Sequence, residues 1–329
     1  MRKNRAVLGL AIAATALIGL SACSVPGDNA GANANVSTST NKLLGIVTIT
    51  ATDANNARVI QGATAAAKAA GWKVEVVDAA GNADQANTAI SNFVSKGAGM
   101  IFDLVFPTTS LGAGLAAAKG AGIPVATWGG GLGNGVVMTT GDGAPFAEPA
   151  TTQLISDLKG GGSVLALTYR TGQVCRDREA LFDKMLADHP EIKVSKNEVN
   201  IPGFLQDGAK YATAWLAGHP AGSGKLAVWG CWEDPTLGAI SGIKQLGRTD
   251  VLTYGINGSS TAIKAVQDGS LTATVYEDGV KEGATMFTTT QEAIKAGSSW
   301  KAKTVEVPGV LVTSKTVASF VAAHPEALK

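Results

Sequence analysis

From Leu43 onward the chain alternates short, continuous apolar runs with longer stretches whose apolar positions recur every three or four residues. Runs rich in β-branched residues fall at 43–50, 72–77, 99–105 and 123–128. Their starts lie roughly 25–30 residues apart, the length of a strand plus a crossover helix. Between them, 58–70 sets Val59, Ile60, Ala63, Ala66 and Ala67 on one helical face ahead of Gly71, and 86–96 groups Ala86, Ile90, Phe93 and Val94. Apolar runs that are continuous rather than alternating mark strands buried on both faces, as in a parallel sheet covered by helices. The pattern repeats at 163–169, 193–201, 225–230, 251–256 and 271–276, with helices expected over 178–187 and 209–217. The predicted fold class is α/β: two doubly wound parallel-sheet lobes joined by a hinge, with the carboxyl ends of the strands lining a cleft.

The first residues follow a different rule. Arg2, Lys3 and Arg5 precede an apolar run over 6–20, too short for a ~30 Å hydrocarbon core but suited to a signal peptide. The run closes on Leu20-Ser21-Ala22-Cys23, which resembles the bacterial lipoprotein signal. That resemblance implies cleavage before Cys23 and a diacylglycerol on its sulfur; an ordinary secretory signal with a coincidental Cys is the alternative. Residues 24–41 are mostly Ser, Thr, Asn, Gly and Ala, too polar to fold, and as a coil would reach about 23 Å. The expected division is therefore a signal peptide over 1–22, a disordered tether over 23–41 and a folded body from 42. No other stretch reaches the ~18 consecutive apolar residues of a membrane helix. Membrane attachment is expected only through the lipid at Cys23, on the extracytoplasmic side of the cell membrane.

Composition narrows the chemistry. Apolar residues make up 45% of the 329 and charged ones 16%, which excludes a disordered chain. The 27 basic residues are balanced by 26 acidic ones without a basic cluster, so no nucleic-acid partner is expected. Three Cys and three His are too few for a zinc cluster, and neither a metal nor a cofactor is expected. The glycine run Gly129-Gly130-Gly131-Leu132-Gly133-Asn134-Gly135 fails the G-x-G-x-x-G test for a dinucleotide and reads as a flexible cleft or inter-lobe loop. No G-x-S-x-G occurs, and His189, His219 and His324 each precede Pro after a helix, so no catalytic residue is expected and the protein is not read as an enzyme.

Several segments carry a resemblance in their order and spacing. They are Ala121-Gly122-Ile123-Pro124-Val125 before the fourth strand, Arg176-Asp177-Arg178 with Phe182, Leu237-Gly238-Ala239, Tyr254-Gly255-Ile256-Asn257-Gly258, and Ala265–Gly269 with Leu271–Val275. Together they resemble the type I periplasmic binding proteins, above all the ribose-binding-protein-like sugar receptors of ABC importers. The resemblance implies three inter-lobe crossings, with an N-lobe of 42–141 plus 279–304 and a C-lobe of 142–278 plus 305–329. It also implies a ligand that binds between the lobes and favours their closed form.

A sugar offers apolar C–H faces and a ring of hydroxyls, so its site needs aromatic platforms beside carboxylate, amide and guanidinium forks. The resemblance places Arg176 and Phe204 at the ligand, with Trp232, Asn257 and Glu277 replacing other polar family residues. The family's Asp-Arg grip would fall at Gly129-Gly130 and is absent; Trp128 offers a stacking surface one position earlier. Asp53, Asn55 and Asn56 end the first strand as ligand contacts or as a helix cap, and Asp103 and Phe106 close the third. Cys175 and Cys231 are the two thiols left beside Cys23. In an exported chain they are expected to pair, since the order 2-1-3 makes their strands neighbours; two buried thiols that never meet is the alternative. The expected function is a monomeric substrate-binding lipoprotein that delivers a small sugar or polyol to an ABC permease. A ligand sensor serving a signalling receptor, or a carrier of a nucleoside or amino acid, stands as the alternative.

Overall fold

The computed structural model describes residues 41–140 and 143–328. The signal peptide, Cys23 and nearly all of the tether lie outside the described residues. Two six-stranded sheets carry the fold. The first draws on β1 (Leu43–Thr48), β2 (Lys73–Asp78), β3 (Met100–Leu104), β4 (Val125–Trp128) and β5 (Val136–Thr140), with α1 (Ala54–Ala69), α2 (Ala83–Ser95) and α3 (Gly112–Gly120) between them. The chain then crosses to the second sheet through α4 (Ala144–Asp157). There it lays down β6 (Gly162–Thr168), α5 (Gln173–Leu186), β7 (Ile192–Glu198), α6 (Phe204–Ala217), β8 (Leu226–Gly230), α7 (Glu233–Gln245), β9 (Val251–Tyr254), α8 (Ser260–Gln267) and β10 (Ala273–Tyr276). It returns to the first sheet with α9 (Gly279–Ala296) and β11 (Lys303–Val305), and ends on the second with β12 (Val310–Thr313) and α10 (Val317–Ala323).

The sheet orders are β11-β5-β4-β3-β1-β2 and β12-β10-β9-β8-β6-β7, so both lobes are doubly wound. Every pairing is parallel except β10 with β12. The central strands β1, β3, β4, β5 and β8 are buried at every position, which is why all of them but β5 read as continuous apolar runs; β5 (VVMTT) is not among the expected strands.

Helix starts differ from the periodicity. Asp53 caps α1 by accepting from the amides of Asn55 (2.9 Å) and Asn56 (2.8 Å), so α1 begins at Ala54 rather than 58. Asn82 caps α2 in the same way, and α5 starts at Gln173, ahead of the expected 178. The glycine run corrects its own reading: it joins β4 to β5 inside the first lobe and is not an inter-lobe loop. A parallel crossover ordinarily needs a dozen or more residues and a helix. Here positive φ at Gly129, Gly131 and Gly135 turns the chain back within 129–135, and Thr127 Oγ1 donates to the Gly131 carbonyl to pin it.

In each lobe a helix pair interlocks through glycines. A Cβ on Gly62 of α1 would sit 1.9 Å from the Val280 carbonyl oxygen of α9, and one on Gly283 of α9 would sit 2.0 Å from that of Val59. Gly208 of α6 and Gly238 of α7 meet the backbone at Pro235 and Leu205 in the same way. These contacts leave no room for a methyl group, and they seat each helix pair as one unit.

Candidate functional site

The carboxyl ends of β1, β3 and β4 face those of β6, β8 and β9, and the cleft between them holds about 430 Å³ of empty space, partly open to solvent. The N-lobe wall is Ile49, Thr50, Asp53, Asn56, Val105 and Trp128; the C-lobe wall is Tyr169, Gly172, Val174, Cys175, Arg178, Ile201, Trp232 and Asn257. The lobes touch beside this space, where the Gln173 amide at the start of α5 donates to the Val105 carbonyl (3.2 Å). Val105 holds φ at +82°, a strained conformation for a β-branched residue, and its amide donates to the Trp128 carbonyl.

Each polar wall residue is held from behind. Asn56 Nδ2 donates to the Thr50 carbonyl (2.6 Å), and Trp128 Nε1 donates to Glu282 (2.9 Å). Arg178, 1% exposed, donates through Nη1 to the Cys231 carbonyl (2.9 Å) and Asn257 Oδ1 (3.0 Å). Its Nη2 lies 3.4 Å from Glu277 Oε2. Trp232 is braced edge-on by Tyr169 and Phe204 at centroid distances of 6.1 and 5.7 Å. Burial pushes the Asp53 carboxyl above its ordinary value, against the pull of its two capped amides and of Arg58 and Arg178.

The space is thus lined from both lobes by two indoles, a carboxyl, amides and a guanidinium. A family model described as a periplasmic binding protein domain matches residues 44–298. The chain belongs to that family. This periplasmic binding protein is 28% identical over 225 residues to a xylitol-binding protein of Mycolicibacterium smegmatis, a match covering 64% of this chain and 60% of that protein. It is 27% identical over 254 residues to the ribose import binding protein of Bacillus subtilis, covering 76% and 80%. In fold it resembles an ABC transporter solute-binding protein of Agrobacterium vitis solved with bound allitol, with a TM-score of 0.79, 24% identity, and coverage of 87% and 99%. Members of this family are binding proteins and not enzymes. Among the described residues no helix is long and apolar enough to cross a membrane.

Of the residues expected at the site, the binding protein brings Asp53, Asn56, Trp128, Trp232 and Asn257 to the cleft wall. Asn55 and Glu277 stand behind it, joined by a 2.6 Å hydrogen bond. Phe106 and Asp103 are fully buried in the N-lobe; Asp103 lies under Gly130, where burial drives its carboxyl well above the ordinary range. Phe204 supports Trp232 rather than lining the space. Arg176 points away, donating to the Arg170 carbonyl (3.2 Å) and to Gln173. Because α5 starts at Gln173, and residues two apart on a helix point about 200° apart, Arg178 faces the cleft and Arg176 does not. Cys175 and Cys231 form a disulfide with Cα atoms 5.2 Å apart, which fixes one corner of the C-lobe wall.

Asp234, half-buried in the first turn of α7, gives the binding protein a pH response. Burial first, then the negative charges of Asp53 across the cleft and of Glu233 beside it, push its carboxyl up to about 9, against a hydrogen bond from Trp232. A carboxyl whose folded value exceeds its unfolded one holds its proton longer when folded, so stability falls as pH rises from the unfolded 3.8 to about 9. Melting temperature should drop between about pH 5.5 and pH 8.5, and D234N should flatten the drop. An equally steep drop in D234N would assign the response elsewhere.

Proposed function

We propose that this periplasmic binding protein is the substrate-binding component of an ABC importer, a lipoprotein that holds a small neutral sugar or polyol between its lobes and delivers it to a membrane permease. The observation that carries this reading is the pairing of Trp128 and Trp232 from opposite lobes with Asp53, Asn56, Arg178 and Asn257 around one small space. Indole faces suit the C–H surfaces of a polyhydroxylated ligand, and the polar groups suit its hydroxyls. The charge of Arg178 is already met by Glu277, which favours a neutral ligand over the carboxylate of an amino acid. Relatives named for xylitol and ribose, and the similarly folded Agrobacterium vitis protein solved with bound allitol, support the same class. In this reading the lobes are 42–141 plus 279–304 and 142–278 plus 305–329, they close on the ligand, and the protein works as a monomer.

Thermal-shift and calorimetric titration with xylitol, allitol, ribose, arabinose and myo-inositol tests the class, with adenosine and leucine as counter-ligands. A rise in melting temperature with at least one sugar or polyol is expected. A response confined to adenosine or leucine, or to none of the panel, overturns the reading. The anchor is tested separately. Cys23→Ser should release the folded body into the soluble fraction, and its retention on washed membranes would rule out lipid attachment at Cys23.

A further inference from the structure

Arg58 sits on α1, outside the cleft wall, and reaches into the other lobe. Its Nη2 donates to the Asn257 carbonyl (2.6 Å) and its Nη1 to the Gly258 carbonyl (3.0 Å), while the guanidinium lies over the Tyr276 ring at 5.3 Å. On its own lobe, Nε and Nη2 donate to Asn55 Oδ1 (3.2 and 2.9 Å). Asn55 Nδ2 in turn donates to Glu277 Oε2, which faces Arg178 Nη2, and Arg178 Nη1 donates to Asn257 Oδ1. The five side chains thus close a ring that leaves the N-lobe at Arg58, passes through the C-lobe wall at Asn257 and Arg178, and returns through Glu277 and Asn55.

The turn held by Arg58 is an unusual one. Asn257 has φ +117°, well outside ordinary L-residue conformations. Glu233 grips the same turn from the C-lobe side, accepting from the amides of Gly258 and Ser259 at 2.7 Å each. Arg58 takes its carbonyls from the N-lobe side. The strained turn that presents the Asn257 side chain to the cleft is thus clamped on both edges, one edge by each lobe.

We infer that Arg58 is a positioning residue: it couples closure of the lobes to the placement of Asn257 and Arg178 at the ligand. The inference rests on the cleft being the ligand site, but its test needs no ligand. The Val105 carbonyl holds the Gln173 amide across the lobes, so hydrogen exchange in the segment around Gln173 reports their parting directly. In Arg58→Ala, exchange there should speed up roughly tenfold, the size expected for losing charge-assisted hydrogen bonds. Exchange in the buried strand β6 should stay unchanged, which separates opening from unfolding. Arg58→Lys should fail to restore the slow exchange, because a single ammonium cannot span Asn55 Oδ1 and two carbonyls in a fork. If Arg58→Ala does not fold, Asn55→Asp reads the same ring, since it replaces the donor to Glu277 with a second carboxylate. Unchanged exchange around Gln173 in the folded variant, or full rescue by Lys, overturns the inference. Neither result bears on which solute the cleft takes, so failure here and failure of the proposed function are told apart.

Discussion

Arg178→Ala is expected to destabilise the fold by about 3–5 kcal/mol and to abolish the response to any sugar or polyol that the wild-type protein binds. Arg178 is 1% exposed and Glu277 is 0% exposed, so removing the guanidinium takes the positive charge away from a carboxylate that water cannot reach. The same truncation frees the Cys231 carbonyl and Asn257 Oδ1 and strips the cation from above the Phe146 ring. Denaturant unfolding measures the stability loss, and titration calorimetry measures the binding loss. The two separate in a paired variant, Arg178→Met with Glu277→Leu, which removes both charges at once. It should recover much of the stability, because apolar replacement of a whole buried pair is often close to neutral, while the binding loss remains. A single alanine variant that melts with the wild type would mean that this pair does not hold the C-lobe wall together.

Reducing the Cys175–Cys231 bond should lower stability by about 4 kcal/mol, from the closure entropy of a loop whose ends are 56 residues apart. For lobes of this size that corresponds to a melting temperature lower by on the order of 10 °C. Cys175 is itself part of the cleft wall, and Cys231 lies between the last residue of β8 and Trp232, so the loosened corner is the one that carries the C-lobe indole. Melting with and without a strong reductant gives the first reading, and Cys231→Ser gives it without reductant. Equal melting temperatures in all three would place the constraint elsewhere.

The strands were legible because burial on both faces writes itself as unbroken apolar runs, as in 43–48 and 100–104. Strands β5, β11 and β12 were not: β5, though buried throughout, follows β4 across the glycine run with no helix between them, and β11 and β12 are short, lie at sheet edges and are mostly exposed or half-exposed. Helix starts were misplaced for a related reason: Asp53 and Asn82 cap their helices from polar turns, where apolar periodicity has nothing to count. Arg176 was named from the resemblance, and the structure turns Arg178, two positions on along α5, to the cleft instead. Asp53, Trp128, Trp232 and Asn257 were found at strand ends, where this topology puts ligand groups. Arg58 could not be found that way. Its partners across the lobes are backbone carbonyls 199 and 200 positions downstream, which leave no side-chain signature in the sequence.

The interlocked glycines of α1 and α9 also set the order in which the molecule can be finished. Val59 and Ala63 of α1 pack in one cluster with Met286 and Phe287 of α9, and the sheet they cover is edged by β11. A chain made amino end first therefore presents the beginning of its N-lobe early but cannot bury it until residues near 283 and beyond have followed. The C-lobe, built mostly from one continuous stretch, meets its partners sooner. The part of the chain made first is the last to be sealed.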